Sequence, residues 1–266
     1  MENTEKKRLT GIKITLIFTG AFLVTFLVYY TILSALAPAR KLDEIKTRIG
    51  LPQTSDTNTD ERYYSDSAFI SLSKEKAFLK ARISMAETDS VYMTLNFADS
   101  TAKLGISGVE VHSARISELK ISRILSSGNE YLISELFSSP MSIVRDLATI
   151  RKEPLMIKMA PKDTSEFKPD IIPDTSDYEP VNYILEMDNG VRIYIYQDND
   201  TITRDKKQLF FFDLNNRLDN AWRSLKSVAR FRIPEYHPFI KIRLPKADAK
   251  ILYRAIPRKG QIAVYM

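Results

Sequence analysis

The sequence predicts a mainly β fold with a few helices, set behind one N-terminal membrane-spanning helix. Three observations carry that expectation. An uncharged apolar run extends from Ile14 to Leu36; short segments of alternating or β-rich character follow one another between residues 68 and 121 and again between 183 and 197; and the last 26 residues read as strand, short helix, strand. At 266 residues, 44% hydrophobic and 27% charged, the composition suits a folded chain rather than a disordered one. The chain has no cysteine, which excludes thiolate chemistry, disulfides and sulfur-ligated zinc. Its two histidines, His112 and His237, exclude a three-histidine metal site, and no cofactor or metal is expected. A net charge of +6 is too small for a nucleic-acid footprint, so no nucleic acid is expected as a partner.

Residues 1–13 form a short N-terminal tail, and Ile14 to Leu36 is the anchor in the lipid bilayer: a hydrocarbon layer about 30 Å thick takes roughly 20 helical residues. Tyr29 and Tyr30 stand near its outer end, where amphipathic rings favour the interface. Lys6, Lys7, Arg8 and Lys13 before the run balance Arg40, Lys41, Lys46 and Arg48 after it, so the basic-loop rule leaves the orientation open. Ala35-Leu36-Ala37 has the form of a signal-peptidase site, with cleavage after Ala37 as the rival reading, but the run is longer than a signal peptide's apolar region. Residues 37–67 are a polar tether that begins with a juxtamembrane helical extension at 40–50.

The body then occupies residues 68–266. Strands are expected at 68–72, 78–85, 90–97, 103–106 and 110–121, with turns at Ala98-Asp99-Ser100 and Ser107-Gly108. Two insertions interrupt the body, near 129–180 and 198–235. Residues 129–151 have helical apolar spacing broken by Ser138-Ser139-Pro140, and 161–180, with four prolines and six acids, reads as a surface loop. Tyr183 to Met187, the turn Asp188-Asn189-Gly190 and Val191 to Gln197 give the strongest hairpin signature in the chain. Leu214, Leu218, Trp222, Leu225 and Val228 define an amphipathic helix over 213–230 that packs on a sheet, with Arg217, Arg223, Lys226 and Arg230 on other faces. Phe210-Phe211-Phe212 reads as core. In the closing segment Ala247, Ile251, Leu252 and Ala255 form a helical stripe, Pro257 stops the helix and Gly260 turns the chain into a final strand.

The closing segment resembles the catalytic domain of the L,D-transpeptidases, enzymes that cross-link the bacterial cell wall. That family places its nucleophile in Ser-His-Gly-Cys-(Val/Ile)-Arg-(Leu/Met), followed by an Asn-x-Asp-Ala helix ending in Leu-Tyr, then Val-Pro, Gly and a last strand. Ile242-Arg243-Leu244, Asp248-Ala249, Leu252-Tyr253, Ile256-Pro257, Gly260 and Ile262 to Tyr265 follow the same order without gaps, with Lys246 in place of the asparagine. A weaker similarity lies upstream, where Asn189-Gly190-Val191-Arg192-Ile193 is similar to the family's Asp-Gly-x-x-Ile-His-Gly. The resemblance implies an L,D-transpeptidase-like β-sandwich. It also implies that the catalytic set is missing: Lys241 stands at the cysteine position, after Pro238-Phe239-Ile240, and Tyr194 stands at the histidine position, followed by Ile195.

These departures decide the chemistry. Transpeptidation needs a group that both attacks an acyl carbon and leaves it, which a thiolate does. A lysine amine attacks only when neutral, and the amide it forms does not turn over. A phenol, ordinarily ionising near pH 10, is a weak general base at neutral pH. Ile240, branched at Cβ, disfavours a tight turn presenting N–H groups to an oxyanion. Arg243, the family's arginine and the candidate binding residue, either holds a carboxylate of a wall peptide or pairs with a local acid. His237 is expected to be structural and His112 a solvated strand residue. The expected protein is a pseudoenzyme: a catalytically inactive, single-pass protein of the bacterial inner membrane whose extracytoplasmic body binds peptidoglycan peptides or scaffolds another envelope protein. Two alternatives stay open, a divergent enzyme using Lys241, Tyr194 and Arg243, and a purely structural envelope subunit.

Overall fold

In a computed structural model, residues 2–49, 66–152, 179–198 and 203–266 are described. Helix α1 (Glu2–Ile49) contains the apolar run, and its stretch Leu16–Arg48 is long and apolar enough to cross a membrane. Leu16, Phe18, Phe22 and Leu27 all point outward with more than half their surface exposed. Between Leu16 and Leu27 the helix is uncharged and mostly exposed, which suits lipid rather than a protein core. The hydroxyls of Thr25 and Thr31 donate back to the carbonyls of Ala21 and Val28, which keeps both satisfied in an apolar medium. The helix continues past Pro38 to Ile49, as expected for 40–50, while residues 50–65 of the tether lie outside the described residues.

Nine strands follow: β1 (Tyr92–Asn96), β2 (Thr101–Ile106), β3 (Val109–Arg115), β4 (Glu118–Ile121), β5 (Met141–Ala148), β6 (Asn182–Met187), β7 (Arg192–Gln197), β8 (Phe239–Leu244) and β9 (Gln261–Tyr265). They form one mixed sheet in the order β3-β2-β1-β9-β5-β6-β7-β8-β4, with β1·β9 and β7·β8 parallel. Strand β5 joins the two halves: Met141 and Ser142 pair with β9, and from Ile143 the strand pairs with β6 through a bulge. The β6–β7 hairpin closes at Gly190, whose φ of +81° is a left-handed conformation that glycine adopts without strain. Leu95, Leu104, Ile193, Ile195, Ile240 and Ile242 from both halves meet in one core with Leu252 of α6 (Lys246–Ala255).

The remaining helices are α2 (Ser67–Ala86), α3 (Arg123–Ser127), α4 (Glu130–Leu136) and α5 (Thr203–Ala229). Here several expectations are corrected. Residues 68–72 and 78–85 are not strands but the single helix α2, capped by the Asp66 carboxylate accepting from the Ala68 N–H. Its apolar residues lie on two opposite faces, which mimics alternation when read along the sequence. The stretch 110–121 is two strands, β3 and β4, at opposite edges of the sheet. The break at Ser138-Ser139-Pro140 separates a helix from a strand, α4 from β5, not two helical pieces. The expected loop over 161–180 falls outside the described residues except for Glu179 and Pro180. In α6 the buried residues are Ala249, Leu252 and Tyr253, whereas Ile251, expected in the stripe, is exposed.

The chain divides into two compact units: Met1–Glu44 with Asn215–Tyr236, and Ile45–Leu214 with His237–Met266. In the first, the rings of Tyr29 and Phe231 approach at 6.0 Å between centroids, and Ala37, Lys41 and Val228 are buried. The second holds the sheet. Helix α5 buries only Val228 of the stripe expected of it: Leu218 and Trp222 are exposed, as are Phe210 and Phe211, and it is Leu209 and Phe212 that pack on the sheet.

Candidate functional site

Tyr194 and Lys241 are direct neighbours. Strands β7 and β8 run parallel in a register that sets Tyr194 opposite Lys241 and Tyr196 opposite Arg243. Because side chains alternate along a strand, Ile193, Ile195, Ile240 and Ile242 enter the core while Tyr194, Tyr196, Phe239, Lys241 and Arg243 share the other face. The hairpin turn and the β-branched and aromatic content of both strands are the local reasons they form.

On that face Lys241 stands among three rings. Its Nζ lies 4.7 Å from the Tyr194 centroid, 5.4 Å from Phe239 and 5.8 Å from Tyr196. The negative ring faces attract the ammonium, and ring contacts of 6.2 Å tie Tyr194 edge-on to Phe239 and at a tilt to Tyr196. Leu147, Ile184, Leu209 and Phe212 complete the cluster, leaving Tyr194 and Tyr196 almost fully buried. The Tyr196 hydroxyl donates to Asp213 Oδ1 at 2.8 Å, and the Gln197 amide donates to Asp205 Oδ2 at 3.3 Å, so the first half of α5 is fastened over this face by two polar contacts as well as apolar ones. The space beside Tyr194 is filled.

Arg243 is held by its neighbours. Its Nε lies 2.8 Å from Glu118 Oε2 on β4 and its Nη1 donates to the Gln197 carbonyl at 3.3 Å. The His237 Nδ1–H donates to the Gly190 carbonyl at 3.1 Å, fastening the segment before β8 to the hairpin turn. His112 departs from expectation: instead of facing solvent alone, its Nε2 sits 3.0 Å from Asp248 Oδ1 on α6, with about a quarter of each side chain exposed. The residues are 136 positions apart, and no local pattern signals the pair.

A second polar cluster escaped the sequence reading. Tyr253 donates to Asp146 Oδ2 at 2.8 Å, Lys152 Nζ lies 3.7 Å from the same oxygen and 4.9 Å from the Tyr253 ring centroid, and the Tyr183 ring packs on Tyr253 at 4.8 Å. Burial lowers the Lys152 pKa, against the opposing pull of Asp146, and burial raises the phenols of Tyr183 and Tyr253 well above 10. Tyr183 stood in the hairpin signature and Tyr253 in the closing segment, but neither pattern pointed to this cluster. For the lid over Lys241 a signal did exist, since Asp205, Leu209, Phe212 and Asp213 recur at helical spacing.

Among the described residues no group of three or more histidine, aspartate or glutamate side chains is placed to hold a metal ion. Comparison with protein-family models, curated proteins and solved structures gives no match to this chain. The class therefore rests on the fold and the site: a mainly β body with helices, one apolar N-terminal helix long enough to span a membrane, and an aromatic cluster around a lysine on the face of two parallel strands.

Proposed function

We propose that this chain is a membrane-anchored, catalytically inactive L,D-transpeptidase-like protein of the bacterial cell envelope, its body on the extracytoplasmic side, acting in peptidoglycan-related scaffolding. One observation carries the reading: the two residues standing where that family keeps its histidine and cysteine, Tyr194 and Lys241, are side by side on adjacent strands, and the space around them is occupied by Phe239, Leu209 and Phe212 rather than open to substrate. An amine packed among rings beside a phenol offers neither a leaving group nor an effective base at neutral pH. Arg243, already paired with Glu118, takes the role of a strut holding β4 to β8.

The experiment uses the full chain in detergent micelles or nanodiscs with isolated wall sacculi and soluble wall peptides. The expected result is co-sedimentation with sacculi or with an envelope complex and no new cross-links by mass spectrometry. Cross-link turnover that Lys241→Ala abolishes would overturn the inactive assignment, and absence of any envelope association would overturn the scaffolding one.

A further inference from the structure

We propose that α2 is the seam of a parallel dimer between two copies of this chain. The helix has two unlike faces. Ala77, Ala81 and Met85 are buried against the body, with Phe78 packed beside them and Lys74 paired to Glu130 at 2.7 Å. On the opposite face Leu72, Leu79 and Ile83 are 65%, 44% and 62% exposed. Leu72, Lys76, Leu79 and Ile83 are separated by four, three and four residues, which is the a/d repeat of a two-stranded coiled coil. A knob entering such a seam fits a hole made by four residues. Leu72, Glu75, Lys76 and Leu79 form one such hole, and Lys76, Leu79, Lys80 and Ile83 form the next. Those six residues line a shallow open trough on the surface.

Charge favours a second copy as the occupant. With Lys76 and Ile83 at a, the flanking g positions are Glu75 and Arg82 and the e positions are Lys80 and Glu87. In a parallel pair each g residue faces the e residue five positions later on the partner. That places Glu75 against Lys80 and Arg82 against Glu87, and two-fold symmetry repeats both pairs. Glu75, Lys80 and Glu87 are exposed and make no ion pair within the chain among the described residues. Lys76 at a central a position weakens the seam but selects two strands and one register, with Glu75 of the second copy next to it. The usual obstacle to a short coiled coil is the cost of ordering the helix. Here that cost is already met by packing on the sheet.

The test uses the full chain in nanodiscs and micelles. Wild type is expected to dimerise reversibly by mass photometry and sedimentation. Ile83→Asp, on an exposed position that leaves the fold intact by circular dichroism, should weaken dimerisation about tenfold or more. Glu75→Lys should weaken it several-fold, and Glu75→Lys with Lys80→Glu should restore it, a rescue that simple loss of folding would not give. Because the chain lacks cysteine, Leu72→Cys should yield a disulfide-linked dimer on mild oxidation, whereas Ser71→Cys, off the seam, should not. A chain that stays monomeric in both media overturns the proposal, whatever other partner it captures. Cross-linking only in a mixture of Leu72→Cys and Ile83→Cys chains overturns the parallel arrangement.

Discussion

The phenol of Tyr196 on β7 donates a 2.8 Å hydrogen bond to the Asp213 carboxylate on α5, and this contact fastens a helix across the face where Lys241 stands. A partly buried hydrogen bond to a charged acceptor contributes about 1–3 kcal/mol. Tyr196→Phe, which keeps the ring in the cluster, should lower stability by about that amount in urea unfolding of the full chain in detergent. Amide exchange at Leu209 to Phe212 should quicken at the same time. Unchanged exchange there would show that apolar packing alone holds the helix.

Lys241 is predicted to act as a structural cation. Lys241→Met keeps the aliphatic stem and loses the ring attraction, a cost of about 0.5–2 kcal/mol. Lys241→Glu should cost more, because a carboxylate would face the negative ring faces of Tyr194 and Phe239. Thermal unfolding of the three proteins checks the order wild type, Met, Glu. A glutamate variant as stable as the methionine one would remove the ring electrostatics from the account.

Gly260 is required by close approach. A Cβ there would come within 2.5 Å of Ile256 Cγ1 and 3.0 Å of the Pro257 carbonyl oxygen. Gly260→Ala should therefore destabilise by about 1–3 kcal/mol through overpacking. Combined with Ile256→Ala it should cost less than the sum of the single changes, since one relieves the other's clash. Strict additivity in chemical unfolding would contradict the contact.

The buried phenols predict an alkaline limit. Tyr183 and Tyr253 have folded-state pKa values raised above 10, by burial first and, for Tyr253, by its bond to Asp146 as well. The folded state then keeps protons that the unfolded chain releases. This stability is complete below pH 10 and is lost as pH rises beyond it. The lowered Lys152 pKa acts oppositely, raising stability as pH climbs toward 10.5. Tyr183 Oη has no hydrogen-bond partner among the described residues, so Tyr183→Phe should change stability little at pH 7 and flatten the decline above pH 10. Unfolding midpoints measured from pH 7 to 11.5 decide it.

How far the sequence could be read follows from the range of the interactions concerned. Asn189-Gly190 marks its hairpin because the turn is set by the conformational freedom of one glycine, and Ile14 to Leu36 marks the long helix because uniform apolarity needs no partner to be recognised. Residues 67–86 misled because Leu72 and Ile83 face outward while Ala81 and Met85 face the body. An apolar stripe on each side of a helix gives no single period to detect. The α5 stripe misled for the complementary reason, since its period was right but, Val228 apart, its residues stay exposed while Leu209 and Phe212 pack on the sheet.

By itself, then, the sequence determined the elements whose geometry is local: the apolar helix, the β6–β7 hairpin and the closing strand, helix and strand. It also determined that no thiolate is available. Only the tertiary structure decided that Tyr194 and Lys241 face each other on parallel strands, that α5 covers them, and that His112 meets Asp248 and Lys152 meets Asp146. Except for Lys152 and Asp146, which are close in the sequence, those pairings join separate segments, 136 positions apart for His112 and Asp248, and they form because burying both faces of one mixed sheet brings them together, a condition that no short window of sequence contains.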